Sequence, residues 1–497
     1  MRRAIRILRN IILLLIAAVV ILAAVLVANA WRKSSQQIAV SPVAPVTIDE
    51  QAAAQRLGAA VRLQTIASVT DADQSADAFR ALHDLIAASF PAFHAAAKRE
   101  IVANYSLLYT WEGSDPKAAP IALLAHQDVV PIAPGTEKAW SVDPFGGEIK
   151  DGFVWGRGTL DNKGNLFAQM EAIELLLASG FQPKQTVYLA MGDDEEVSGL
   201  RGALPIAELL QSRGVKLDWV LDEGLLVLDG VLPGLSKPAA LIGLAEKGYA
   251  TFFLSLDTAP GHSSMPPAHS AIGRLSAALA RLEANPMPGG IQGVAGQMFG
   301  TLAPEMSGIN RVMLSNLWLT APLVEGQLQK SPSSNAMLRT TTALTIVRAG
   351  NKDNVLPGRA EAAVNFRVLP GDTIDSVEAH LRKQLGDDEI KIKRYPGNSE
   401  ASPVSPTDSA GYRTIERSVR QSFPDAIVAP GLMTAATDSR HFSILSDAVF
   451  RFSPFRMKNE DLARFHGTNE RLAISNYGEM IGFYQQLLRN ASGALSQ

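Results

Sequence analysis

The 497-residue chain contains no cysteine. That absence removes disulfides, thiolate metal sites and cysteine nucleophiles together, and leaves histidine and the carboxylates as the available metal ligands. It does not fix the compartment. An excess of either charge is also missing: 46 Lys and Arg stand against 49 Asp and Glu, a formal net charge of -3. Without a basic field a nucleic-acid partner has no electrostatic support, and the chain as a whole is no polyanion. There is no internal repeat and no low-complexity tract. What is present, 47% hydrophobic and 19% charged residues, describes a folded protein long enough for two or three domains with real cores.

The longest apolar run lies near the N-terminus. "IILLLIAAVVILAAVLVANA", residues 11 to 30, has one polar member, Asn29, and is long enough to cross a hydrocarbon core as a helix. Arg2, Arg3, Arg6 and Arg9 precede it and only Arg32 and Lys33 follow closely. The positive-inside rule therefore keeps the N-terminus cytoplasmic and makes the protein single-pass, with its bulk extracytoplasmic. The competing reading is secretion after signal cleavage, since Ala28, Asn29 and Ala30 resemble a cleavage site.

Residues 1–48 thus read as a membrane anchor and a short Pro-containing linker. Residues 49–244 alternate helical and strand-like patterns, with strands expected in "YSLLYTW", "PIALLAHQDVV", "TVYLAMGDDEE" and "LDWVLDEG". This is an α/β signature with a mixed, largely parallel sheet, whose ligand crevice lies beyond the carboxyl ends of the strands. From 245 to 396 the order becomes βαββαβ, the ferredoxin-like order, and an inserted domain is expected there. Within it, residues 286 to 336 form an excursion too long for a simple loop. Residues 397–497 resume the first domain.

Chemistry-bearing residues gather at the expected strand ends. "PIALLAHQDVV" delivers His126 and Asp128 on one face, because side chains two apart in a strand share a side. "WGRGTLDNKG" supplies Asp161, "DDEEVSG" Glu195 and Glu196, "VLDEG" Asp222 and Glu223, and "FHGTNERL" His466. The acids of "DDEE" also suit a helix start, where the macrodipole welcomes negative charge. If Asp161, Glu195, Glu196 and Asp222 converge, each like-charge pair at 4 Å costs about 4 kcal/mol at an effective dielectric near 20. Either some carboxyls stay protonated or cations sit among them. With two histidines and no thiols, first-row divalent metals fit, zinc foremost, and the ligand count suits two ions sharing one carboxylate.

The order H-x-D, G-R-G-x-x-D-x-K-G, E-E, D-E-G and H-G closely resembles the co-catalytic di-zinc peptidases that include carboxypeptidase S, aminoacylases and succinyl-diaminopimelate desuccinylase. "VLDEG", "TDSRHF" and "HGTNE" resemble the carboxypeptidase S branch, which also contains secreted N-acyl-amino-acid hydrolases. The resemblance implies a zinc-peptidase-like catalytic domain with an inserted ferredoxin-like lid, and two Zn2+ per chain with Co2+ or Mn2+ as substitutes. It implies that His126, Asp161 and Asp222 bind one zinc, and Asp161, Glu196 and His466 the other. Glu223 is the reserve for Asp222, since some relatives use glutamate there. Asp128 would support the imidazole of His126, and Glu195 would be the general base. The resemblance also implies a cis peptide at Asp161–Asn162, where many relatives carry Asp in place of Asn162.

Three further residues face the expected substrate. His262 in "APGHSSMPP" resembles the lid histidine that stabilises a developing oxyanion, supplied in some dimeric relatives by the partner subunit, so a homodimer is among the expectations. Asn354 in "DNVLPG" resembles a lid position near the substrate. Arg440 in "TDSRHF" is suited to grip a carboxylate bidentately. The implied activity is hydrolysis of an amide next to a free carboxylate, in a short peptide or an N-acyl amino acid. A membrane-tethered binding protein on an inactive hydrolase fold is the competing class, and it would predict missing ligands or a replaced base.

Overall fold

The computed structural model describes residues 2–493, apart from 42 and 45. Its centre is an eight-stranded mixed sheet. In spatial order the strands are Lys98–Val102, Ser106–Trp111, Val187–Gly192, Ile121–His126, Trp219–Leu228, Val449–Met457, Ala239–Glu246 and Ile427–Met433. Ile121–His126 runs parallel to both its neighbours, and Trp219–Leu228 runs parallel to Val449–Met457. Strands buried on both faces need apolar residues throughout, and "IALLAH" is buried at every position. Helices Glu50–Val61, Lys163–Ala178, Ala410–Ser422 and Ile474–Ala491 cover one face around the largest core cluster. Helix Ala203–Ser212 and the turn Asp438–Ile444 cover the other. The acids of "DDEEVSG" open only a short 3-10 turn, Glu195–Val197, and the following helix waits until Ala203.

Residues 248 to 394 run strand, helix, strand, strand, helix, strand. Strands Thr341–Ala349, Arg359–Val368, Gly248–Asp257 and Lys391–Arg394 form an antiparallel sheet in that order. Helices Ala271–Ala284 and Ile374–Leu385 bury Leu275, Leu282, Val377 and Leu381 against one of its faces. The excursion between the first helix and second strand folds as four helices: Gly293–Leu302, Gly308–Ser315, Leu317–Leu328 and Pro332–Leu338. These do not extend the four-stranded sheet. Met298, Phe299 and Leu302 instead pack on Leu241, Ile427 and Ala429, covering the edge of the central sheet. The apolar N-terminal run lies in one helix, Arg2–Arg32, long and apolar enough to span a membrane or to serve as a signal sequence.

Candidate active site

Asp161 stands at the centre of the expected crevice, in the turn that precedes helix Lys163–Ala178. His126 Nε2 lies 2.9 Å from its Oδ1, and His466 Nε2 lies 3.0 Å from its Oδ2. One carboxylate therefore spans two imidazoles. Glu223 Oε1 flanks His126 Nε2 at 3.4 Å, and Glu196 Oε2 flanks His466 Nε2 at 3.2 Å. Candidate ligand atoms of His126, Asp161 and Glu196 lie within 4.8 Å of one another, as do those of His126, Glu195 and Glu223. The peptide bond Asp161–Asn162 is cis.

Local structure explains each placement. His126 ends its strand, and its Nδ1 meets the Asp128 carbonyl at 3.0 Å and Oδ1 of the Asp128 carboxylate at 3.2 Å, which orients the ring. The same carboxylate accepts the backbone N–H groups of Glu195 and Glu196 at 3.1 and 3.0 Å. Asp128 thus joins the histidine strand to the glutamate turn. The four acids split into two pairs: Asp193 accepts the Ser106 hydroxyl, Asp194 accepts the Arg201 N–H, and only Glu195 and Glu196 reach the cluster.

Asp222, expected among the ligands, lies outside both of these groups of candidate ligand atoms among the described residues. Its two oxygens accept the N–H groups of Glu223 and Ser439 at 2.8 and 2.7 Å. The cause is a bulge. Arg451 pairs with Asp222 but Phe452 pairs with Leu225, so Glu223 and Gly224 are extra residues opposite a continuous partner. A bulge re-aims side chains, and this one delivers Glu223 to His126. Gly224 makes it feasible with φ of 150, a value L side chains rarely adopt, and a Cβ there would lie 2.6 Å from that of Arg451.

Two residues that sequence reasoning left unassigned build the walls. The fully buried Glu470 accepts N–H groups of Gly158 and Leu160 at 2.9 and 2.8 Å through one oxygen, and Arg157 Nη1 at 2.5 Å through the other. Arg157 also donates to the carbonyls of His466 and Gly467. This buried pair locks the Asp161 turn to the His466 loop, where His466 itself has φ of 55. Arg in "GRG" and Glu in "HGTNE" stood inside the quoted motifs, and a charge flanked by two site loops was the available signal.

His262, Asn354 and Arg440 are placed apart from the cluster. Among the described residues, no hydrogen bond or ion pair joins His262 or Asn354 to it. They are neighbours on the exposed strand pair Gly261–His262 and Val355–Leu356, where the Asn354 carbonyl accepts the Ser263 N–H. The Arg440 guanidinium donates to the Ser198 carbonyl at 2.6 Å, directly behind the glutamate turn. A cavity of about 440 Å³, lined by Gly289, Gly290, Val294, Leu338 and Leu369 among others, includes no member of the cluster.

Electrostatics at the cluster are unbalanced in its favour for cations. Burial pushes the Glu195 carboxyl well up, with Glu223, Asp438 and Glu196 adding repulsion against the attraction of His126. Burial also raises Glu196, and it raises Glu223 to about 8 with the charge of Asp161 assisting. His466, hydrogen-bonded to Asp161 and Glu196, rises to about 10. Burial would lower His126, but the carboxylates of Glu223, Asp128 and Asp161 carry it well above its ordinary value. Asp161 is held low despite burial by its bonds from His126 and His466. Glu196 Oε1 is buried without a hydrogen-bond partner. Nitrogen and carboxylate donors with an orphaned oxygen fit a divalent cation well.

Residues 122–490 match the model of peptidase family M20/M25/M40. The chain belongs to that family. It is 40% identical over 475 residues to "Probable carboxypeptidase S-like 2" of Dictyostelium discoideum, covering 94% of this chain and 91% of that protein. It is 43% identical over 437 residues to "N-fatty-acyl-amino acid synthase/hydrolase PM20D1.1" of Danio rerio, covering 87% and 84%. Among solved structures, the M20 family metallo-carboxypeptidase Sso-CP2 of Sulfolobus solfataricus superposes with a TM-score of 0.62 at 18% identity, covering 90% of this chain and all of that one. At that identity the superposition speaks for the fold, a mixed α/β architecture shared with other M20 peptidases. The M20 chain described here is a hydrolase of a metallopeptidase family.

Proposed function

We propose that this protein is a di-zinc hydrolase that cleaves an amide bond next to a free carboxylate, in short peptides with a free C-terminus or in N-acyl amino acids. The observation that carries the proposal is the Asp161 carboxylate spanning His126 and His466 at 2.9 and 3.0 Å, with Glu223 and Glu196 on its two flanks. His126, Asp161 and Glu223 would hold one cation, and Asp161, Glu196 and His466 the other. In this reading Glu223, which the resemblance gave as the reserve for Asp222, is preferred because its Oε1 lies 3.4 Å from His126 Nε2. When bound, the cations supply Lewis-acid polarisation of the scissile carbonyl and acidify water.

Glu195 is the proton carrier of the proposal. Its carboxylate takes a proton from the attacking water and passes it to the leaving amine nitrogen, while its neighbour Glu196 is occupied as a ligand. Asp128 is a positioning residue that fixes both glutamates through their N–H groups. Arg440, anchored on Ser198, is the carboxylate-reading candidate. His262 and Asn354 sit on the exposed strand pair, and their proposed contact with substrate requires that pair to close on the crevice or to be supplied by a second copy. Residues 245–396 form the proposed lid, 49–244 with 397–497 the catalytic body, and Arg2–Arg32 a single membrane span with the body extracytoplasmic.

The relatives named for carboxypeptidase S and for N-fatty-acyl-amino acid hydrolysis support the two substrate classes alike. A panel of dipeptides and long-chain N-acyl amino acids, assayed with and without a chelator, tests the reading. Hydrolysis of at least one class, abolished by chelation and restored by zinc, is expected. Turnover that survives complete chelation would overturn it.

A further inference from the structure

The helix Arg2–Arg32 is fastened to the excursion. Asn316 Nδ2 donates to the Leu26 carbonyl at 2.9 Å, and Asn29 Nδ2 donates to Asn316 Oδ1 at 3.1 Å. Arg311 adds bonds to the carbonyls of Ala30 and Lys33. Leu26 lies four residues inside the apolar run that ends at Ala30. At 1.5 Å per residue, Asn316 therefore sits about 6 Å below the end of that run. This is the depth at which an interfacial helix buries its apolar face.

Arg32 and Lys33 stand exposed at the end of the clamped helix, whereas the surface of the excursion beside the clamp is apolar. Ile309, Trp318, Leu319 and Leu323 are 68%, 66%, 42% and 69% exposed. In helix Leu317–Leu328 the exposed positions, 318, 319, 322, 323, 326 and 327, form one continuous face. Its opposite face, with Leu317, Val324 and Leu328, packs on the body. Between 306 and 329 the only charged residues are Arg311 and Glu325, and both are turned inward: Arg311 to the carbonyls named above and Glu325 to the Ile291 N–H. An ordinary soluble surface carries roughly a quarter to a third charged residues. Trp318 also bonds through Nε1 to Asn316 Oδ1, the same amide that holds the N-terminal helix, and Trp is enriched at membrane interfaces.

We propose that residues 307–327 form a second membrane contact, a monotopic platform that lies in the outer leaflet's interface beside the span and seats Ile309, Trp318, Leu319 and Leu323 among lipid. The occupant is the bilayer itself, because the apolar face is continuous with the helix that would cross it. This rests on the proposed reading of Arg2–Arg32 as a span. The body is thereby held against the membrane at two points rather than tethered by a linker, with the excursion that lines the 440 Å³ cavity lying closest to lipid.

The cysteine-free sequence gives a clean test. Single substitutions Val20→Cys, Ile309→Cys, Trp318→Cys, Leu323→Cys and Lys383→Cys in the full chain are spin-labelled and reconstituted in vesicles of phosphatidylcholine and phosphatidylserine. Accessibility to oxygen and to a water-soluble nickel chelate is then measured, with amide hydrolysis as the check on folding. The expected result is a deep label at 20, shallow lipid-immersed labels at 309, 318 and 323, and a water-exposed label at 383. If 20 is in lipid while 309, 318 and 323 match 383, the platform is wrong and the span stands. If 20 is itself in water, the span reading fails and takes the platform with it. Spin–spin broadening at 318 that vanishes on dilution with unlabelled chain, without preference for oxygen, would assign the face to a second copy and overturn the proposal.

Discussion

Glu195 and Glu196 share a sequence neighbourhood and a turn, yet their oxygens meet different partners. Glu196 reaches His466, whereas Glu195 falls within the triangle of His126 and Glu223. Replacing Glu195 by Gln keeps the shape and removes the proton carrier, so kcat should fall about 10²–10⁴-fold while metal content measured by elemental analysis stays near that of the parent. A second outcome follows from the raised groups. Glu223, near 8, and His466, near 10, both hold protons at pH 7 in the metal-free protein and must release them to act as ligands. Zinc uptake at pH 7 should therefore release protons, and apparent affinity should climb as pH rises through 8 toward 10. Calorimetric titration in buffers of unlike ionisation enthalpy reads this directly; uptake with no proton release would contradict it.

At the scale of elements, the strand Trp219–Leu228 shows where sequence reasoning stopped. His126, Asp161, Glu196 and His466 were legible because each lies in a short motif at a strand or helix boundary, and the chain brings all four together. Asp222 and Glu223 were not separable, because alternation in a strand predicts only that they face opposite ways; which one faces the cluster is decided by a two-residue bulge against Arg451. Likewise the helical excursion could be bounded from its Gly, Met and Pro content, but its seat on the edge strand Ile427–Met433 depends on a partner strand more than 90 residues away. The bulge is testable. Gly224→Ala must accommodate φ of 150 and a Cβ beside Arg451, a strain of about 1–3 kcal/mol. Reduced stability in denaturant titration together with loss of about half the bound metal is expected, and Glu223→Ala should reproduce the metal loss with a smaller effect on stability.

For the whole molecule, the candidate site is also a fastening. His126, Asp161, Glu196, Glu223 and His466 come from strand ends and loops spread between residues 126 and 466, and without cations the cluster is held together by the protons that groups such as Glu223 and His466 retain. A ligand that binds only the folded state stabilises it by RT ln(1 + [L]/Kd), about 2.7 kcal/mol at a hundredfold excess over Kd. Chelation should thus lower the Tm of the purified protein measurably, with full recovery on adding zinc. An unchanged Tm would mean that the cluster tolerates its own charge without metal.

The Arg157–Glu470 pair has a bearing on synthesis. It ties a turn made early to a loop made late, and 305 residues separate His466 from the Asp161 that it must meet. A ribosome therefore delivers a growing polypeptide in which four of the five candidate ligands, His126, Asp161, Glu196 and Glu223, precede the fifth, His466, by more than 240 residues. On the proposed reading of the site, hydrolytic competence would arrive only when the late loop closes, which would keep an unfinished chain chemically inert while it is being made.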